Sequence, residues 1–180
     1  MAFIELTRDC KVEVDDEDYH FLVGLKKWYA SKCGKSIYAE KRLSDKQMFE
    51  LNNYLEKNNK NIVLKKTLLM HRLIMDAGPG TFVDHIDGNG LNNKKENLRF
   101  CSKSQNSQNK SKKTNSYSVY KGVFKLKQKN LKKTWRAYIF DSDIKKRITI
   151  GYYETEQDAA IAYNQKAIEL YGEFAKLNVI

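Results

Sequence analysis

The stretch Lys110 to Ser118, KSKKTNSYS, has no large aliphatic side chain, and this gap constrains what the 180-residue chain can fold into. A segment without aliphatic groups has little apolar area to bury, so nothing offsets the entropy of ordering its backbone and it reads as a linker. The apolar residues on either side must then build separate cores. A chain of this length divided in this way implies several small modules with thin cores. We read residues 1–66 as an N-terminal lead-in region and 67–109 as a central module. Residues 110–118 are the basic linker and 119–180 a C-terminal module. The expected class is α+β.

The lead-in alternates short apolar runs with turns, and FLVGLKKWYASK followed by SIYAEKR reads as strand-rich. Its DDED cluster, Asp15 to Asp18, suits a turn and the acidic first turn of a helix. Consecutive carboxylates do not converge on one point, which argues against a second metal site. Ser44 followed by Gln47 forms a capping-box signature, and Met48, Leu51 and Leu55 recur at helical spacing. Gly78-Pro79-Gly80 breaks the chain before an extended run at Thr81-Phe82-Val83. The segment Asp87-Gly88-Asn89-Gly90 is turn chemistry, Glu96 to Phe100 returns as a second strand, and Ser102 opens a short helix. Beyond the linker, Tyr120–Leu126, Thr134–Phe140 and Arg147–Tyr153 are strand-like. Thr155, with Asp158 three residues on, starts a helix whose stripe of Ala160, Tyr163, Ala167 and Leu170 runs to Gly172. Three antiparallel strands covered on one face by this helix would leave the other face for a ligand.

The net charge is +11, concentrated between Cys101 and Gly151, where fourteen Lys or Arg stand against two Asp. Aromatic residues and strand patterning within that run favour a phosphate-tracking surface over a merely solvated face. Cys10, Cys33 and Cys101 are odd in number and far apart, which fits neither a disulfide framework nor a zinc knuckle. No stretch reads as a membrane span or a secretory leader.

The segment with chemical content is VDHIDGNGLNNKKENLRFCSKSQN, Val83 to Asn106. Hydrolysing a phosphodiester requires a base to activate water and a cation to take up charge on the leaving oxygen. His85 is the candidate base. Asp84 and Asn106 offer hard oxygen ligands, the kind that suit magnesium or manganese rather than zinc. Asp84 and Asn89 also fit plain turn geometry, and Asn92-Asn93 fit it better still.

His71-Arg72-Leu73, VDHIDGNGLNN and ENLRFCSKSQN together resemble an HNH endonuclease of the ββα-metal type, the kind found in phage and intron homing enzymes. The resemblance spans about thirty-five residues. It implies His85 as general base, with Asp84 and Asn106 holding one Mg2+ (or Mn2+) ion. It also implies a role for Asn97 in holding the hairpin and orienting the histidine. His71 takes a place at which either core packing or phosphate or metal contact is open. Lys103 and Arg99 lie close enough in sequence to neutralise phosphate, while Arg99 could equally cover the hairpin with its aliphatic stem.

YKGVFKLKQKNLKKTWRAYIFDSDIKKRITIGYYETEQDAAIAYNQKAIELYGEFAKLN resembles the ethylene-responsive-factor (AP-two) DNA-binding domain. The landmarks are Tyr120-Lys121-Gly122-Val123, Trp135, Ile150-Gly151-Tyr152-Tyr153, Thr155, Ala159-Ala160, Ala162-Tyr163 and Gly172 through Asn178. That resemblance implies a sheet laid in the DNA major groove. Lys121 and Arg147 keep basic places, but arginine positions of the family hold Phe124, Leu126 and Phe140, and a tryptophan position holds Thr149. The family's base specificity does not transfer. Lys125, Lys127, Lys132, Lys133 and Arg136 are substitute contacts, suited to phosphate, which positions a protein without reading sequence. Trp135 fits a core position better than a groove contact.

These readings converge on a metal-dependent, sequence-directed endonuclease of the HNH homing type. Its expected partner is double-stranded DNA, with no membrane and no small-molecule substrate. A single site favours nicking by a monomer or weak dimer. The expected location is cytoplasmic, for a phage-encoded protein or in a prokaryotic host cytosol. The alternatives are an inactive DNA-binding regulator retaining the HNH fold, a basic RNA-binding protein, and a zinc-structured variant that lacks the paired cysteines it would need.

Overall fold

The computed structural model describes residues 2–34, 36–111, 117–127 and 131–180. Residues 112–116 of the expected linker lie outside the described residues. The chain forms two compact units, one ending at Lys103 and the other beginning at Ser104. Mixed small sheets and short helices make it an α+β fold, as expected.

The first unit opens with a hairpin of β1 (Ala2–Glu5) and β2 (Lys11–Val14), Ile4 opposite Val12. Arg8 and Asp9 at its tip both have positive φ, 62° and 53°, which matches the twist of a tight hairpin. Helix α1 (Asp16–Gly24) follows, with Asp16, Glu17 and Asp18 in its first turn, where unpaired backbone N–H groups favour negative charge. Next, β3 (Tyr29–Cys33), β4 (Ser36–Arg42) and β5 (Thr67–Leu69) form an antiparallel sheet in that order. Helix α2 (Asp45–Lys57) bears the expected capping box: Ser44 accepts from the Gln47 backbone N–H, and the Gln47 side chain accepts from that of Ser44. It buries Leu51 and Leu55.

Helix α3 (Met70–Ile74) begins directly after β5. Its Met70 and Leu73 join Val12, Val14, Leu22, Trp28 and Leu55 in one apolar core, which is continuous across residue 66. A second hairpin, β6 (Phe82–His85) with β7 (Leu98–Cys101), pairs Asp84 with Arg99 and His85 with Leu98. A short 3-10 turn, Lys95–Asn97, leads into β7, and α4 (Lys103–Gln108) follows it.

In the second unit, β8 (Val123–Lys125), β9 (Trp135–Asp141) and β10 (Lys146–Tyr153) make an antiparallel sheet with β9 in the centre. Helix α5 (Glu156–Tyr171) is capped by Thr155, whose hydroxyl accepts from the Asp158 N–H at 3.1 Å. Ala159, Ala160, Tyr163 and Ala167 are buried, and they share cores with Val123, Ala137 and Ile139 of the sheet. Small residues let helix and sheet approach closely. Gly122 shows how closely: a Cβ there would lie 2.0 Å from the Tyr163 ring, and its φ is +74°. Trp135 packs into this core on the helix side of the sheet. Asn178 closes the unit by accepting from the Lys121 N–H at 2.6 Å and donating to the Lys121 carbonyl at 3.0 Å.

Candidate active site

The β6–β7 hairpin positions the candidate base. Residues alternate sides along a strand, so the adjacent Asp84 and His85 point to opposite faces of the hairpin. Both are buried. Between the strands, the loop is held by asparagine side chains. Asn97 accepts from the Asp87 N–H at 3.1 Å and donates to the Asp87 carboxylate at 3.0 Å and to the Asn92 carbonyl at 2.8 Å. Asn92 donates to the other Asp87 oxygen at 2.9 Å. Burial alone would raise Asp87, but bonds from the Asn89 backbone and from Asn92 and Asn97 outweigh it and hold the carboxyl below its ordinary value.

The partner of His85 is Asn93, whose Oδ1 lies 2.7 Å from His85 Nε2. With a carbonyl oxygen facing it, Nε2 carries the hydrogen of the neutral ring and Nδ1 holds the lone pair. Asn93 is itself completely buried and its backbone is clamped from outside the hairpin: its N–H donates to the Glu13 carbonyl at 2.8 Å. The Glu13 N–H in turn donates to the Leu91 carbonyl at 2.8 Å. Strand β2 therefore fixes the residue that fixes the histidine. Gly90 permits the loop to sit there, since a Cβ would come within 2.4 Å of the Ile37 carbonyl oxygen.

Two aromatic neighbours complete the histidine's surroundings. The His71 ring meets His85 edge-on, centroids 4.9 Å apart at 73°, and Tyr38 lies 5.7 Å from each. Burial, with the neighbouring His85 and Arg72, pulls His71 down to about 3, so it packs as a neutral ring. Burial also lowers His85, against the upward pull of its Asn93 bond and of the Asp87 and Asp84 charges. A lowered value keeps the ring in its basic form at neutral pH.

Asp84 faces Arg99. The Arg99 Nε and Nη2 donate to Asp84 Oδ2 at 3.2 and 3.1 Å, in a pair whose side chains are 11% and 8% exposed respectively. This follows from their direct opposition across β6 and β7. Of the two roles left open for Arg99, neither describes this contact, which neutralises the carboxylate. A carboxylate oxygen is a hard donor that fits Mg2+ or Mn2+ chemically, and Mg2+ takes few protein ligands beside waters and phosphate oxygens. Among the described residues, no three His, Cys, Asp or Glu side chains cluster as a metal cage. Asn106 stands half-buried on α4, beyond the Lys103/Ser104 division.

Sequence reasoning treated Asn93 as turn geometry and missed its bond to His85. The signal available was only that a second asparagine follows Asn92 within the matched motif. Asn97, expected to hold the hairpin and orient the histidine, bonds to the loop backbone and Asp87. Of the basic residues expected at DNA, Lys103, Lys125, Lys127, Lys132, Lys133 and Arg147 are exposed. Lys132 pairs with Glu154 at 3.3 Å. Arg136 is half-buried. Lys121 turns inward, its ammonium donating to the Gln108 carbonyl, and burial lowers it to about 8.

Residues 69–108 match the family model described as HNH endonuclease, a stretch that contains His71, Asp84, His85, Asn93, Asn97 and Asn106. This stretch, less than half of the chain, is thus similar to the HNH endonuclease family. It is also 45% identical, over 101 residues, to an uncharacterized HNH endonuclease of Acanthamoeba polyphaga mimivirus. That similarity covers 55% of this chain and 48% of the viral protein, so the chain spans about half the length of the relative it matches. Among the described residues, no helix is long and apolar enough to cross a membrane.

Proposed function

We propose that the chain is a metal-dependent, sequence-directed DNA endonuclease of the HNH homing type that nicks double-stranded DNA. The observation that carries this reading is the 2.7 Å bond between His85 Nε2 and buried Asn93, inside the matched stretch and beside Asp84. His85 Nδ1 takes the proton from the attacking water. Asn93 keeps the ring in that tautomer, and Asn97 holds the loop on which Asn93 sits. Asp84 and Asn106 would hold one Mg2+ or Mn2+ ion, which stabilises charge on the leaving oxygen when bound. Arg99 balances the Asp84 charge.

In this reading residues 67–109 are the nuclease module, 1–66 the lead-in that braces it, and 119–180 an AP-two-like anchor joined by the basic segment 110–118. Support for the anchor comes from its three-stranded sheet with one helix across one face, and from Gly122 fitted against Tyr163. Arg136, Arg147 and the exposed lysines would contact DNA, while Lys121 serves the fold. An anchor of this kind raises the local concentration of the nuclease near its site. In this reading the protein acts as a monomer or weak dimer in the cytoplasm, phage-encoded or in a prokaryotic host cytosol.

The test is plasmid nicking with Mg2+ against chelator, in the original protein and in His85→Ala. Loss of Mg2+-dependent nicking with retained binding supports the reading, and undiminished cleavage by the variant overturns it. The Arg99 guanidinium on Asp84 favours a second reading, a DNA-binding regulator that keeps the HNH fold without activity. The absence of nicking by the original protein at any Mg2+ or Mn2+ concentration would select it.

A further inference from the structure

The sheet of the second unit has one face packed on α5 and one face open, and the open face is unusual in composition. Alternation along the strands assigns each side chain. Val123, Ala137 and Ile139 are buried toward the helix, so Phe124, Arg136, Tyr138 and Phe140 stand on the other side. The register places Phe124, Arg136 and Tyr152 in one row across the three strands. Arg147 lies opposite Phe140, and Thr149 opposite Tyr138. Phe140 and Tyr152 are each 48% exposed. No carboxylate occupies these positions.

The cations on this face lie near aromatic rings. The Arg136 guanidinium is 5.6 Å from the ring centroids of both Phe124 and Tyr138, and that of Arg147 is 5.7 Å from Tyr138. A face of this kind attracts a polyanion, and the DNA major groove is wide enough to admit paired β-strands. Base edges in that groove are polar, with one exception: the 5-methyl group of thymine. The rings of Phe140 and Tyr152, and the half-buried ring of Phe124, gain nothing against hydrogen-bonding edges and strip those edges of solvating water. Against thymine methyls they gain apolar contact.

We propose that this face reads duplex DNA by apolar contact of Phe140, Phe124 and Tyr152 with thymine methyl groups, with Arg136 and Arg147 supplying charge. This inference rests on the duplex-DNA reading above and names the sequence class it selects, thymine-containing sites. Single-stranded nucleic acid, stacked on the same rings, is the competing occupant.

The full chain in chelator is titrated, by fluorescence anisotropy, with an alternating dA·dT duplex, the same duplex with uracil in place of thymine, and single-stranded dT. Uracil removes the methyl and leaves every hydrogen-bonding group. The thymine duplex is expected to bind tighter by about fourfold per contacted methyl, roughly fifteenfold for two. That ratio should fall toward one in Phe140→Ser and, separately, in Phe124→Ser. Equal affinity for the two duplexes, or an unchanged ratio in both variants, overturns the inference while leaving the nuclease reading intact. Tighter binding to single-stranded dT than to either duplex overturns it in favour of stacking. Failure of the nuclease reading appears elsewhere, as loss of Mg2+-dependent nicking by the unaltered protein.

Discussion

The two units handle their polar and aromatic groups in opposite ways. In the first, His85, Asp84, Asn93 and Asn97 are buried, and each holds a hydrogen-bonding or charged partner. In the second, Phe140, Tyr152 and Arg147 stand exposed on an open sheet face. A group that transfers a proton must be held in one tautomer and one orientation, which needs partners that do not exchange with water. A group that meets a large ligand must stay accessible, because its partner comes from outside. On the proposed function, burial would separate chemistry from contact along this chain.

The largest effect is expected at His85, the proposed base. His85→Ala should lower Mg2+-dependent nicking by roughly 10²- to 10⁴-fold, the usual contribution of a positioned general base, while binding measured by anisotropy changes little. Asn93→Ala should cost about 10- to 100-fold, as removal of an orienting partner does. Asn93→Asp should move the acid limb of the rate profile upward, because a carboxylate facing Nε2 raises His85. The rate profile of the original protein should hold below pH 6.5, since burial lowers His85 from that value, and fall as pH passes through the lowered value. An unshifted profile in Asn93→Asp would remove Asn93 from its positioning role.

Smaller effects concern stability. Gly122→Ala places a methyl group into the Tyr163 ring at a positive φ and should destabilise the second unit by roughly 1–3 kcal/mol, seen as a lower urea midpoint. His71 titrates near 6.5 when unfolded and at about 3 when folded. Its contribution is therefore complete above pH 6.5 and is lost as pH falls toward 3, at up to about 1.4 kcal/mol per pH unit. Urea denaturation of His71→Phe should show a shallower slope across that window. Least of all, Lys127→Ala should weaken duplex binding slightly and lower the salt slope by about one, the signature of one lost phosphate contact. An unchanged slope would place Lys127 away from DNA.

Local signals carried well from sequence to structure. The Ser44–Gln47 box and the Thr155–Asp158 cap are present because a cap requires only residues three apart. The hairpin and the following short helix around Asp84 and His85 were legible from turn residues between apolar runs. Arg99 was harder, since its contact with Asp84 depends on register across a fifteen-residue separation. Asn93 was beyond reach, because its place is set by Glu13 of β2, eighty residues earlier in the chain (93 − 13).

From the sequence alone came an α+β chain, its basic second half, the Asp-His pair with its spaced asparagines, and the resemblance that pointed to phosphodiester cleavage. Only the tertiary structure decided that Asn93 sets the tautomer of His85, that Arg99 neutralises Asp84, that Lys121 faces inward, and that aromatic rings share one open sheet face. The reason is physical. Spacing along the chain governs caps, turns and strand alternation, whereas a buried hydrogen bond needs two groups brought together by elements distant in sequence, and only the packed core fixes that distance.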